Sequence, residues 1–124
     1  MVEYPWKRDQ LIYYIRLLAD PAYTRRVWIN HEFPPGIEFD CFSYLLNFFF
    51  DDTSLARSRE HSVRKIVKTD EEWHSVKRVT DAVDKVHKKV GSDAPDEEYL
   101  DAPEWEDVVE GAKAALATLE PNSQ

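Results

Sequence analysis

The sequence has little cysteine, little glycine and no long apolar run, and each shortage excludes a class of protein. Cys41 is the one cysteine, which excludes an internal disulfide and any metal site built from several thiolates. Three glycines leave few positions for the tight turns of a small all-β protein. No apolar run approaches the roughly 20 residues of a membrane-spanning helix, and the N-terminus lacks the apolar segment of a secretion signal. We therefore expect a cytoplasmic protein without a membrane span.

Negative charge is what the chain has in excess, and it is concentrated near the C-terminus. The net charge is −8, and residues 91–124 contain ten acidic residues against one base, Lys113. This segment therefore carries −9 and the rest of the chain +1. A segregated acidic surface repels nucleic acid and anionic membranes and attracts a basic partner. We expect binding to neither nucleic acid nor membrane.

Apolar residues recur at helical spacing along most of the chain. The pattern predicts longer helices over residues 5–19, 69–91 and 103–119, a further helix over residues 39–50, and short helical segments elsewhere. The predicted fold class is all-α: a compact helical bundle with three longer helices and several short helical segments. Residues 1–120 form its single domain, and residues 121–124 are predicted to be a C-terminal tail.

The predicted helices have recognisable ends and faces. Thr69 is expected to cap the long helix, with Glu72 completing a capping box, and Gly91 ends it. A core is predicted from apolar residues on several of these helices: Phe42, Leu45, Phe49, Trp73, Val83, Trp105 and Leu116.

The first helix is apolar on two sides, so its second face is predicted to mediate self-association in a homodimer. That face consists of Trp6, Tyr13 and Leu17.

No catalytic or metal-binding motif stands out. Glu71 and His74 form one Glu-x-x-His, but a di-iron bundle requires a second copy, which the chain lacks. Cys41 has no base at a sequence spacing that would activate it as a nucleophile. We therefore predict no catalytic residue, no metal and no cofactor.

One basic stretch precedes the long helix, containing Arg57, Arg59, Arg64, Lys65 and Lys68. It has no aromatic residues between its bases, as a nucleic-acid site would have. We expect this stretch to lie opposite the acidic C-terminal third and to help dock it.

Three segments together resemble a group of small, mostly uncharacterised bacterial helical proteins, some of which are related to immunity proteins of contact-dependent growth-inhibition systems. The segments are Trp28-Ile29-Asn30-His31 through Pro35-Gly36-Ile37, Asp51-Asp52-Thr53-Ser54-Leu55-Ala56, and Tyr99-Leu100-Asp101-Ala102-Pro103-Glu104-Trp105-Glu106-Asp107-Val108-Val109. The resemblance implies an all-α bacterial protein that binds and blocks a toxin domain. It implies no catalytic residues.

The leading functional hypothesis is a non-enzymatic module that binds a protein partner, such as a basic toxin domain, through an acidic helical surface. The predicted binding residues are seven acids and one aromatic anchor: Glu97, Glu98, Tyr99, Asp101, Glu104, Glu106, Asp107 and Glu110. Two alternatives remain open. One is a self-associating structural module; the other is a small enzyme or ligand-binding domain with a site in the loops at residues 28–38 and 51–61. The residues of that pocket would be Trp28, His31, Asp51 and His61.

Overall fold

The computed structural model describes residues 2–123, and this part of the chain is a helical bundle. Its helices are α1 (Pro5–Ala19), α2 (Pro21–Trp28), α3 (Phe42–Leu46), α4 (Asp70–Val90), α5 (Asp96–Asp101) and α6 (Trp105–Leu119). A π-helical turn (Asn47–Asp52) continues α3, and a 3-10 turn (Pro121–Ser123) follows α6. Residues 2–123 form no β-strand beyond one isolated bridge. The all-α prediction is confirmed, and no helix in the described range is long and apolar enough to cross a bilayer.

The core lies between the three long helices, because α6 packs against both α4 and α1. Small residues on α6 allow this close packing: Ala112 and Ala115 are fully buried, and Gly111 lies against Val79 of α4. Most of the predicted core is buried, namely Phe42, Leu45, Phe49, Val83 and Trp105. The prediction is wrong in degree for Trp73 and Leu116, which are only partly buried at the edge of the core.

The starts of α2 and α4 follow from local sequence. Pro21 is at the first position of α2, and the Asp20 carboxylate accepts a hydrogen bond from the Tyr23 amide at 3.2 Å. Thr69 caps α4 as predicted, accepting from the Glu72 amide at 3.1 Å. The second half of the predicted capping box is wrong. The Glu72 side chain turns into the protein and accepts from the Lys68 amide.

Glu72 instead forms a buried ion pair with Arg8 of α1. Its two carboxylate oxygens accept from the two terminal guanidinium nitrogens of Arg8 at 2.9 and 3.0 Å. Asn122 donates to the same carboxylate at 2.8 Å. Residues 121–123 are therefore a structured turn attached to α4 and not the predicted tail, and Gln124 lies outside the described residues.

The helix predicted over residues 39–50 is displaced along the chain. Cys41 is extended, with φ −163° and ψ 173°, so α3 starts at Phe42, while the π-helical turn carries the helical path on to Asp52. Upstream, Gly36 has a φ of 87°, which suits glycine at the end of the loop through Pro34 and Pro35. This loop and the late start of α3 place Asp40 inside the protein.

Candidate functional site

Asp40 is a buried carboxylate surrounded by aromatic hydrogen-bond donors. Its Oδ1 accepts from the Tyr14 hydroxyl at 3.0 Å. Its Oδ2 accepts from the Tyr13 hydroxyl at 3.0 Å and from the Trp28 indole nitrogen at 2.9 Å. Only 2% of the Asp40 surface is exposed. Two adjacent tyrosines of α1 and the last residue of α2 thus hold one acid in place.

The electrostatics of this cluster follow from its burial. Burial raises the pKa of Asp40, and the hydrogen bonds from Trp28, Tyr14 and Tyr13 oppose that rise. Burial together with the neighbouring Asp40 carboxylate raises the pKa of both tyrosines well above the ordinary value. Both hydroxyls therefore stay protonated and donate hydrogen bonds to Asp40. None of the described ion pairs involves Asp40.

A groove opens on the side of this cluster, with a volume of about 470 Å³. Five aromatic rings line it: Tyr13, Tyr14, Tyr23, Phe39 and Tyr44. Asp9 and Asp40 supply two carboxylates, and no lining residue is basic. The volume lies within the range of roughly 300–1,000 Å³ found for ligand sites. A second groove of about 450 Å³ shares Asp9, Tyr13 and Tyr23 and extends along α1 to Arg16.

Aromatic side chains remain exposed at the rim of the groove. Phe39 is 46% exposed and Tyr44 is 49% exposed, and their rings meet edge to face at 5.4 Å. The Phe39 ring also packs against Phe33, with 5.5 Å between ring centroids, and Phe33 stacks on His31 with 5.7 Å between centroids. His31 has a φ of 59°, which is uncommon for residues other than glycine, although histidine adopts it more often than most. Contiguous exposed aromatic surface of this kind is typical of a binding site.

Four of the predicted partner-binding acids are neutralised by bases within the protein. Their ion pairs are Asp101 with Arg25 at 2.6 Å, Glu104 with Lys89 at 2.5 Å, Asp107 with Arg78 at 3.7 Å, and Glu110 with Lys113 at 3.7 Å. Exposed pairs of this kind add little stability, but they cancel local charge. Glu97, Glu98 and Glu106 are exposed, and the described residues offer them no ion pair. The predicted acidic face therefore carries less uncompensated negative charge than the sequence indicates.

Tyr99 cannot be the exposed anchor that was predicted. Its side chain is 3% exposed, and its ring stacks on Phe42 with 3.9 Å between ring centroids. Its hydroxyl donates to the Gly91 carbonyl at 2.6 Å. Tyr99 therefore joins α5 to the core and to the end of α4.

Among the described residues, the basic stretch makes no ion pair with an acid of the C-terminal third, so the predicted docking by charge is wrong. Arg59 pairs with Asp70 at 2.5 Å, and Lys65 pairs with Glu3 at 3.4 Å. The Lys68 ammonium does reach the C-terminal turn, but it donates there to the Asn122 carbonyl and not to an acid.

The predicted self-association face is divided by the structure. Trp6 is 59% exposed, as expected. Leu17 is fully buried in the core, so its assignment to this face is wrong. Tyr13 is partly buried, bonded to Asp40 and part of the groove.

The alternative pocket of Trp28, His31, Asp51 and His61 is not assembled. Trp28 is 2% exposed, and the other three side chains lie at the surface. Among the described contacts, none joins Trp28 or His31 to Asp51 or His61. His61 contacts Ser58, with 2.8 Å between Nδ1 and Oγ, but this exposed pair closes a local turn. Within residues 2–123, no three His, Cys, Asp or Glu residues are grouped to hold a metal.

The Asp40 cluster was not predicted from the sequence, where Asp40 is one polar position in the helix predicted over residues 39–50. A lone aspartate between Phe39 and Phe42 in a strongly aromatic stretch was the available signal. The partners on α1 and α2 are 12 to 27 residues away, and only the fold reveals them.

Fold and site together describe an all-α protein with an aromatic groove that contains two carboxylates. The chain belongs to the family described as a domain of unknown function (DUF7945), whose model matches residues 2–124. No curated protein and no solved structure matches the chain.

Proposed function

We propose that this protein is a non-enzymatic module that binds a basic segment of a protein partner. The observation that carries the proposal is the groove beside Asp40, which combines five aromatic rings with two carboxylates and no base. Interfaces place aromatic side chains at their centres because these bury much apolar area at a small loss of conformational entropy. The carboxylates select for a positively charged partner.

The unpaired acids contribute to the proposal by steering. Glu97 and Glu98 lie on α5, which is attached to the start of α3 where Asp96 accepts from the Phe42 amide at 3.3 Å. With Glu106 they add to the negative field of a protein whose net charge is −8. Such a field speeds the encounter with a basic partner and is screened by salt. Neutralisation of a basic toxin domain is the more specific form of this function, and it stays a prediction from the sequence resemblance.

The test is association kinetics with a purified basic partner, first captured from the host and then made separately. We expect the triple variant Glu97→Gln/Glu98→Gln/Glu106→Gln to associate with the partner more slowly than wild type at low salt. At high salt the two association rates should be the same. We expect Tyr44→Leu to dissociate faster, with Tyr44→Phe as the matched variant that keeps the ring. A partner whose binding changes in none of these variants would contradict the proposal.

A further inference from the structure

We infer that the groove beside Asp40 receives an arginine side chain of the partner. This inference rests on the proposed function and specifies the chemistry of its site. The groove is lined by five aromatic rings and by Asp9, and the Asp40 carboxylate is buried behind Tyr13 and Tyr14. No lining residue is basic, and the nearby Arg26 guanidinium lies 5.6 Å from the centroid of the Tyr23 ring. Aromatic rings attract cations through the negative charge of their faces, so rings and carboxylates favour the same kind of ligand.

Asp40 acts through the tyrosines that cover it. Its oxygens accept hydrogen bonds from Tyr13, Tyr14 and Trp28, which leave the carboxylate almost no exposed surface. A tyrosine hydroxyl that donates one hydrogen bond still has lone pairs to accept another. Because both hydroxyl protons point toward Asp40, the lone pairs of Tyr13 and Tyr14 are oriented away from it. Asp40 is thus a positioning residue that turns two hydroxyls into acceptors for a cationic donor.

Arginine fits this arrangement better than lysine. A guanidinium is planar, so it stacks on aromatic rings, and it has five N–H donors for acceptors placed around it. Asp9 on α1 supplies a charged acceptor and the tyrosine hydroxyls supply neutral ones. The lysine ammonium is more strongly hydrated and cannot stack. The second groove continues along α1 to Arg16, which is paired with Glu120 at 2.8 Å, and it provides room for the main chain on one side of the arginine.

The experiment is an NMR titration of the full chain with an acetylated and amidated Gly-Arg-Gly tripeptide. The matched probes replace arginine by citrulline, which has the same shape without charge, or by lysine. We expect the arginine tripeptide to shift side-chain resonances of Tyr13, Tyr23 and Tyr44 with a dissociation constant of about 1 mM. The citrulline tripeptide should bind at least about tenfold more weakly, and the lysine tripeptide should lie between the two.

Two variants test the assigned roles separately. Asp40→Asn preserves the shape, removes the charge and turns the Tyr14 hydroxyl proton away from residue 40, so it should weaken arginine binding about fivefold. Tyr44→Leu removes an exposed ring with no described hydrogen bond, so it keeps the test valid if Asp40→Asn fails to fold. Glu71→Gln is the matched control, since it removes an exposed charge on α4, outside the groove, and should leave the affinity unchanged.

Equal affinities for arginine and citrulline, or an unchanged arginine affinity in both Asp40→Asn and Tyr44→Leu, would overturn the inference. If the tripeptides fail to bind while a basic protein still associates in the salt-dependent way described above, the arginine pocket is wrong and the proposed function stands. If the arginine tripeptide binds as expected and no protein partner associates, the pocket stands and the proposed function is wrong.

Discussion

At the scale of single residues, the protein keeps one carboxylate buried without a described ion pair. Asp40 is held by three neutral donors, so its negative charge is hydrogen-bonded but not cancelled. Buried charges are more commonly paired, as Glu72 is paired with Arg8 in the same protein. The two buried carboxylates therefore have different structural roles. Glu72 joins two helices, whereas Asp40 places negative charge behind a groove.

Replacing Asp40 should separate the contribution of its hydrogen bonds from the effect of its charge. Asp40→Ala should destabilise by about 1–3 kcal/mol for each donor left buried without a partner. Asp40→Asn can keep the hydrogen bonds from Tyr13 and Trp28 at its amide oxygen, while its amide nitrogen can only donate to the Tyr14 hydroxyl. Because the folded protein raises the Asp40 pKa, the associated stability is present below 3.8, the ordinary value, and is lost as the pH rises through the raised pKa. In urea unfolding, the free energy of unfolding of Asp40→Asn relative to wild type should therefore be higher at pH 7 than at pH 4. The opposite trend would contradict the raised pKa of Asp40.

Glu72 should have the opposite pH dependence. Burial alone would raise its pKa, but hydrogen bonds from Arg8, Lys68 and Asn122 outweigh burial and lower it. The stability it contributes is present above 4.5, the ordinary value, and is lost as the pH falls through the lowered pKa. Glu72→Gln should destabilise by about 3–5 kcal/mol at neutral pH, because it leaves Arg8 charged and buried. Glu71→Gln is the exposed control, and denaturant curves that coincide for the two variants would exclude this role.

At the scale of elements, the sequence predicted the long helices well because their apolar faces repeat over several turns. The Asp20 and Thr69 caps and the Gly91 end follow from side chains within a few residues. The start of α3 was predicted at residue 39 instead of Phe42, because it depends on contacts between Asp40 and residues distant in sequence. Asp40 is drawn inward by donors on α1 and α2, which leaves Cys41 extended. The groove was not predicted for the same reason, since its walls come from α1, α2, α3 and the loop before α3.

The core contributed by α3 and its π-helical turn can be tested by truncation. Phe49 is fully buried, so Phe49→Ala should destabilise by about 3–5 kcal/mol. Leu116 on α6 is only partly buried, so Leu116→Ala should destabilise by less than about 2 kcal/mol. Equilibrium unfolding of the two variants gives the comparison. A larger effect at Leu116 than at Phe49 would mean that the packing of α6 is wrongly described.

At the scale of the whole molecule, charge pairing changes the meaning of the acidic segment. Arg25, Arg78 and Lys89 neutralise acids of the C-terminal third, so the sequence overstates the field at α6. The pairing could not be read from sequence, because it joins residues 15 to 76 positions apart.

The state of association is a second property of the whole molecule. With Leu17 in the core and Tyr13 in the groove, Trp6 is the remaining exposed apolar residue of the predicted dimer face. One exposed side chain does not form a stable interface. We expect light scattering to give a monomer over a concentration series, and a mass of two chains that does not fall on dilution would restore the homodimer.

The most direct test of the groove as the binding site is the NMR footprint of the basic partner on the isotope-labelled full chain. We expect the largest shifts on Tyr13, Tyr23, Phe39 and Tyr44 around the groove, with smaller shifts at Glu97 and Glu98. A footprint confined to Glu106, Asp107 and Glu110 on α6, with the groove unchanged, would contradict it.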